Sequence, residues 1–453
     1  MTSNNFELSS LPFEIADRIS KHLDNASLAN CCLVNKHWYT CFISSVWESP
    51  KTRSLENLKS LHHSMESIAS FIDEEENDND NENKENNNEN KNDKNNNENN
   101  NNISFTDYFN HLKMVKHLDL TAVVDESDIK ASNDQTKTFD YADTETQSLL
   151  IKLADHCSSL KSLALKVPSE KNSSKDAPKF FFALKQFAKS ALSLESLTLD
   201  FNDMTVFADH LQEAIPVECF TKLHHLNLQN ASMVDDSAFI WLWSNCPSLT
   251  SVTISQSSNL NDYILNPLIR IHGHQIKSFD LERCSRLSPN SILNIIVSCK
   301  NLEKFRWVNN GAIYNSTLLS TTTTTNDFEI KDMAFFMNAL KENCVIEHLK
   351  DLDYAFLQES QASIIFDFLI EKNRETLESI KCDTSKALIS AVQKNIIFPH
   401  LKEISFNNPS VSLEKLSKQS SSTTTTTTLN ENCQMSSTSN VSIEGNSSTS
   451  LTA

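Results

Sequence analysis

The sequence predicts an α/β chain in two parts. A small all-helical module comes first. A solenoid follows, with parallel strands on its concave face and helices outside. Three observations carry this. A short motif, L-x-x-L-x-L with apolar substitutions, recurs from Val115 to Phe406. Between its copies the apolar spacing switches from two to the helical three and four. Ahead of it, residues 11–47 place apolar side chains every fourth residue, with no strand pattern.

The copies are VKHLDL at 115, LKSLAL at 160, LESLTL at 194, LHHLNL at 223, LTSVTI at 249, IKSFDL at 276, LEKFRW at 302, LESIKC at 377 and LKEISF at 401. A less regular copy lies near IEHLKDLDY, from 346, with ambiguous register. The central copies start 29, 26, 27 and 26 residues apart, from Leu194 to Leu302. That is the period of leucine-rich repeats, about 20–29 residues, and the array amounts to about ten units. In each strand the fourth and sixth motif positions face the solenoid interior, and the third, fifth and seventh face the concave surface. Eight residues past the first Leu, Asn202, Cys284 and Asn310 fit a capping position, whereas Pro168, Ala231 and Ser257 do not.

Helical stripes fill the gaps: Phe239, Leu242 and Cys246; Ile292, Ile295, Ile296 and Cys299; Met333, Phe336, Met337, Leu340 and Cys344. Pro267 interrupts Ile264 to Ile271, so a helix is expected to start near it. Three spacings are longer, and their polar excess at 121–147, 168–178 and 317–327 reads as inserted loops.

In the leading module, Leu11, Ile15, Ile19 and Leu23 share one helix face, and Pro12 suits a first turn, where its missing N–H costs nothing. Asp24-Asn25 breaks the pattern. Ser27 can cap a second helix with Leu28, Cys31, Cys32 and Val34. Trp38, Phe42 and Val46 mark a third. About forty residues bury little core alone, so the module is expected to dock on a partner or on the rest of the chain.

Taken in order, Leu11-Pro12, Glu14-Ile15, Ile19, Leu23-Asp24, Leu28, Leu33-Val34-x-Lys36-x-Trp38 and Trp47 resemble an F-box. Cys157, Cys246 and Cys299 each stand three residues before the next first Leu, in CSSL, CPSL and CKNL. This is similar to the cysteine-containing leucine-rich repeats common in F-box proteins. The resemblance implies a substrate-recognition subunit of a cullin-type (SCF) ubiquitin ligase. It would bind a Skp-type adaptor through Leu11, Pro12, Ile15, Ile19, Leu28, Val34 and Trp38, and a target protein through the arc. It also leaves open a non-degradative scaffold that binds the adaptor without a cullin. The implied address is cytoplasmic or nuclear.

The expected domains are an F-box-like module over 8–50 and a connecting helix over 51–72. An acidic, Asn-rich disordered linker over 73–102, a repeat domain over 103–416 and a disordered Ser/Thr-rich tail over 417–453 follow. The linker holds 11 acidic residues and 3 lysines and no apolar side chain, so nothing offsets the entropy of ordering it.

Several functions are disfavoured. A net charge of −19 gives no basic footprint for nucleic acid. With three glycines in 453 residues, Gly273, Gly311 and Gly445, no phosphate-cradling loop, dinucleotide fingerprint or nucleophile elbow can be built. No apolar run approaches ~18 residues, and no basic, apolar leader is visible. Eleven cysteines without C-x-x-C argue against a disulfide framework, and the turn cysteines read as small hydrophobes. His62-His63, His224-His225 and His272-x-His274 lack the further ligands zinc wants, so no metal and no cofactor are expected. No nucleophile or acid–base pair stands out, so no enzyme is expected. The concave stripe is the candidate for target binding, above all His225, Asn227, Gln229, Asp280, Glu282, Lys304 and Arg306.

Overall fold

The computed structural model describes residues 13–34, 36–50, 57–63, 115–121, 144–167, 173–202, 204–308, 338, 340–355, 360–382 and 398–406. The acidic tract 73–102, the threonine run 317–327, the tail 417–453, Leu11 and Pro12 lie outside them. The chain forms two compact units, residues 1–249 and 250–453.

The first unit opens with three helices: α1 (Phe13–Ser20), α2 (Asn25–Cys32) and α3 (Lys36–Glu48). Helix α3 packs on both others, around a core of Ala16, Leu28, Cys41 and Phe42. Leu23, Cys31, Cys32, Trp38 and Val46 pack against that core. The expected Ser27 cap is corrected: Asp24 is the N-cap, with extended backbone, and its Oδ1 accepts the Ser27 N–H at 2.7 Å. A carboxylate there satisfies an orphan donor and opposes the helix dipole, so it serves better than a hydroxyl. Residues 57–63 are helical, and Leu58 and Leu61 are buried.

The unit continues with β1 (His117–Asp119), α4 (Thr144–His156), β2 (Ser162–Lys166), α5 (Ser173–Ser190), β3 (Ser196–Asp200), α6 (Ala208–Ala214), β4 (His225–Gln229) and α7 (Asp236–Asn245). The strands pair in chain order, all parallel, so Leu163 sits opposite Leu118 and Leu197, and Leu197 opposite Leu226. Helices α4 and α5 begin inside the polar stretches read as loops, at Thr144 and Ser173.

The second unit repeats the scheme with β5 (Ser251–Ser255), α8 (Asp262–His272), β6 (Ser278–Glu282), α9 (Pro289–Ser298), β7 (Lys304–Val308), β8 (Asp351–Ala355), α10 (Ser360–Lys372), β9 (Ser379–Cys382) and β10 (Glu403–Phe406), the strands again parallel and in order. Strand β8 settles the ambiguous register. Its repeat is LKDLDY from Leu349, which is fully buried at the first motif position.

One backbone device joins successive repeats. The N–H groups of motif positions two and three both donate to the position-two carbonyl of the repeat before. Lys161 and Ser162 donate to the Lys116 carbonyl at 2.7 and 2.8 Å, and Glu303 and Lys304 to the Lys277 carbonyl at 2.8 and 2.9 Å. The helix-to-strand turn repeats too. The N–H of Leu160, Leu249 and Leu302 donates to the carbonyl of Cys157, Cys246 and Cys299 respectively. Leu194 makes the same bond to Ala191, where no thiol exists. The cysteines therefore fill space at a turn the backbone makes without them. Burial pushes the Cys157 and Cys299 thiols up to about 12 and the Cys246 thiol well above its ordinary value.

Two further expectations change. Pro267 lies inside α8, which starts five residues earlier with Asn261 as N-cap, its side chain accepting the Ile264 N–H at 3.1 Å. Proline there leaves the carbonyl of Tyr263 without its helical donor. Tyr263 is highly exposed, so water reaches that turn, while Ile264, Leu265, Leu268 and Ile269 are buried on the opposite side. Ser257 does serve as a cap. Its fully buried hydroxyl accepts the Leu260 N–H at 3.1 Å. Cys284, at the same position one repeat on, donates to the Ile254 carbonyl at 3.7 Å.

Candidate protein-binding surfaces

Helix α1 turns Ile15 and Ile19 away from the module's own core. Ala16 and Ser20 form its buried face, with the Ser20 hydroxyl returned to the Asp17 carbonyl at 2.8 Å. Ile15 and Ile19, one turn apart, are 42% and 38% exposed. At the end of α2, Leu33 and Val34 are 84% and 59% exposed. Four large aliphatic side chains left in water on so small a module mark an interaction surface, because each forgoes about 1.5–3 kcal/mol of burial.

The anchors read from sequence thus divide. Ile15, Ile19 and Val34 stand at the surface. Trp38 is half-buried, its ring 5.5 Å from that of Phe42. Leu28 is corrected: at 3% exposed it belongs to the module's core and holds the surface from beneath. Leu33, not among the anchors read from sequence, is the most exposed of the four. Its place beside Val34, just past the last turn of α2, is the signal that could have found it.

The module is tied to the first strand. The Lys116 N–H donates to the Glu48 carbonyl at the end of α3 at 3.0 Å, and Lys116 Nζ lies 3.0 Å from Glu48 Oε1. A helix-end carbonyl and the first strand's segment thereby satisfy each other.

On the concave face of the first unit, His225 is exposed, and Asn227 and Gln229 are partly buried. Burial and the neighbouring His224 hold the His225 imidazole below its ordinary value. Asn227 Oδ1 is buried and accepts no hydrogen bond. Among described residues, no group of three His, Cys, Asp or Glu could hold a metal ion, and no helix is long and apolar enough to cross a membrane.

On the second unit's concave face, Asp280, Arg306, Asp353 and Lys381 are direct cross-strand neighbours on β6 to β9. The Arg306 guanidinium reaches Asp280 at 2.8 Å, Glu282 at 2.7 Å and Asp353 at 3.0 Å. Lys304 lies 3.2 Å from Asp351, and Lys381 lies 3.9 Å from Asp353. Burial holds the Asp280 carboxyl above its ordinary range against the opposing pull of Arg306. The carboxylates hold Arg306 firmly charged. Asp280, Glu282 and Arg306, read from sequence as target contacts, are therefore first of all partners of one another.

The chain is thus an α/β solenoid of parallel strands behind a three-helix module with an apolar outer surface. Residues 8–53, which span that module, match the F-box-like family. An F-box-like domain stands at the N-terminus. No curated protein matches the chain. Among solved structures it is similar to the crystal structure of the Rad7 and Elc1 complex in yeast, at 15% identity over 72% of this chain and 83% of that one, with a TM-score of 0.36.

Proposed function

We propose that this chain is the substrate-recognition subunit of a cullin-type ubiquitin ligase, binding a Skp-type adaptor through α1–α3 and a target protein through the strand face of the solenoid. The observation that carries the reading is the outward apolar surface of Ile15, Ile19, Leu33 and Val34 on a module that matches the F-box-like family. The domain limits 8–50 and 103–416 belong to the same proposal.

The mechanism is proximity. The chain performs no chemistry and needs no cofactor. It converts the meeting of target and ubiquitin carrier into an effectively intramolecular event, at effective concentrations up to the mM range for well-matched tethers. The bond between Glu48 and Lys116 favours this, because it limits play between the adaptor-binding helices and the first repeat.

Affinity purification of the full chain against one lacking residues 1–50, with identification of bound proteins, tests the reading. A Skp-type adaptor and a cullin should appear with the full chain and vanish with the truncation. Adaptor without cullin would favour the scaffold reading. Neither protein would defeat both.

A further inference from the structure

The first and last strands differ in how well their cores are closed. Ile404, at the fourth motif position of β10, is partly exposed. Leu118, at the same position of β1, is 1% exposed, as deep as Leu163 in the next strand, and Val115 and Leu120 beside it are fully buried. A terminal repeat leaves its core open unless something covers it. The end of α3 lies against the first repeat. There the Lys116 N–H donates to the Glu48 carbonyl at 3.0 Å, and Lys116 Nζ stands 3.0 Å from Glu48 Oε1. The ammonium also faces the negative end of the helix dipole. These two partners are 68 positions apart in the chain. A connection that long can reach about 200 Å extended and about 45 Å as a flexible coil. Here it starts and ends at one hydrogen bond.

We propose that α1–α3 form the N-terminal cap of the repeat array, held by a clasp between Glu48 and Lys116, and that the acidic tract 73–102 is an insertion at this junction that spaces nothing. The distance from the apolar surface of Ile15 and Ile19 to the first repeats is then set by the clasp, whatever the length of the tract. The inference concerns the chain alone and does not depend on the ligase reading. In a ligase it would fix the adaptor relative to the first repeats.

The test places two fluorophores in the full chain, at Ala29 on α2 and Lys185 on α5, both exposed, through unnatural residues that leave the cysteines untouched. Single-molecule energy transfer should give one narrow population, unchanged when residues 73–102 are deleted. The deletion removes under half of the connection and alters the effective concentration of its ends only about twofold. Lys116→Pro removes both the N–H and the ammonium just before β1, where a strand tolerates proline. It keeps the carbonyl to which Lys161 and Ser162 donate. This variant should broaden the distribution, and deleting 73–102 from it should then raise the transfer. A shift on deletion in the otherwise native chain would overturn the proposal, and so would a proline variant as narrow as wild type. Lys116→Glu, which sets a carboxylate against Glu48, takes its place if circular dichroism shows the proline variant unfolded. Adaptor capture by the same samples reports on the ligase reading separately.

Discussion

Arg306→Leu removes the centre of the cross-strand charge network. The guanidinium holds Asp280, Glu282 and Asp353 within 3.0 Å, and the four side chains are 32%, 29%, 27% and 19% exposed respectively. Stripping one partner from a fully buried pair costs about 3–5 kcal/mol. Partial exposure lets water screen the abandoned carboxylates, so about 2–4 kcal/mol is expected at pH 7. The sign with pH follows. The Asp280 carboxyl is already above its ordinary range, so its ionisation opposes folding, and loss of the Arg306 guanidinium raises it further. A carboxyl raised in the folded state favours folding below its unfolded value, about 4, and loses that contribution as pH rises. The variant's deficit is therefore full at pH 7 and shrinks toward pH 4. Urea unfolding followed by far-UV circular dichroism should show a midpoint about 1 M lower at pH 7 and a smaller gap at pH 4.5. Equal gaps at both pH values, or no gap at pH 7, would refute the assignment of Arg306 as the counter-charge.

Three other outcomes are expected. Leu28→Ala, in the module's core, should cost about 2–5 kcal/mol by urea unfolding of the module's helices, with adaptor binding lost only as far as the fold is lost. Asp24→Ala should cost about 1 kcal/mol and Ser27→Ala only a few tenths, because Asp24 caps α2. In the native chain Cys157, Cys246, Cys284 and Cys299 should resist a thiol reagent at pH 8 and react in urea, since burial pushes each thiol far above that pH.

The repeat array was legible because its determinants are local and redundant. Each copy supplies its own buried first, fourth and sixth residues, so Leu160, Leu163 and Leu165 predict their strand without knowledge of the next. The copy at 346 blurred because Ile346 and Leu349 are both buried, and only the pairing of Asp351 with Lys304 selects one. Pro267 misled because a local rule was outweighed by tertiary burial of Ile264 and Leu268. Ser257 misled for a different reason, as its hydroxyl does the work sought from Asn or Cys.

The docking surface was legible only in part. Spacing by four grouped Ile15 and Ile19 correctly but could not say whether that stripe faces inward or outward. The sense was set by Ala16 and Ser20, whose small size lets α3 approach from the other side. Leu28 looks like an anchor in sequence because core and interface draw on the same residue types. The charge network was hidden as well. Asp280, Arg306 and Asp353 lie far apart in the chain and meet only through strand register.

The claim that the leading helices are a docking plug is tested most directly by titrating a purified Skp-type adaptor into wild type and into Ile15→Asp/Ile19→Asp by calorimetry. Covering the exposed part of each isoleucine removes about 70 Å² from water, so the pair is worth about 3–4 kcal/mol at 25 cal/mol per Å². The account predicts binding to wild type and a loss of two to three orders of magnitude in the variant. Undiminished affinity in a variant that keeps its helical circular dichroism would contradict it.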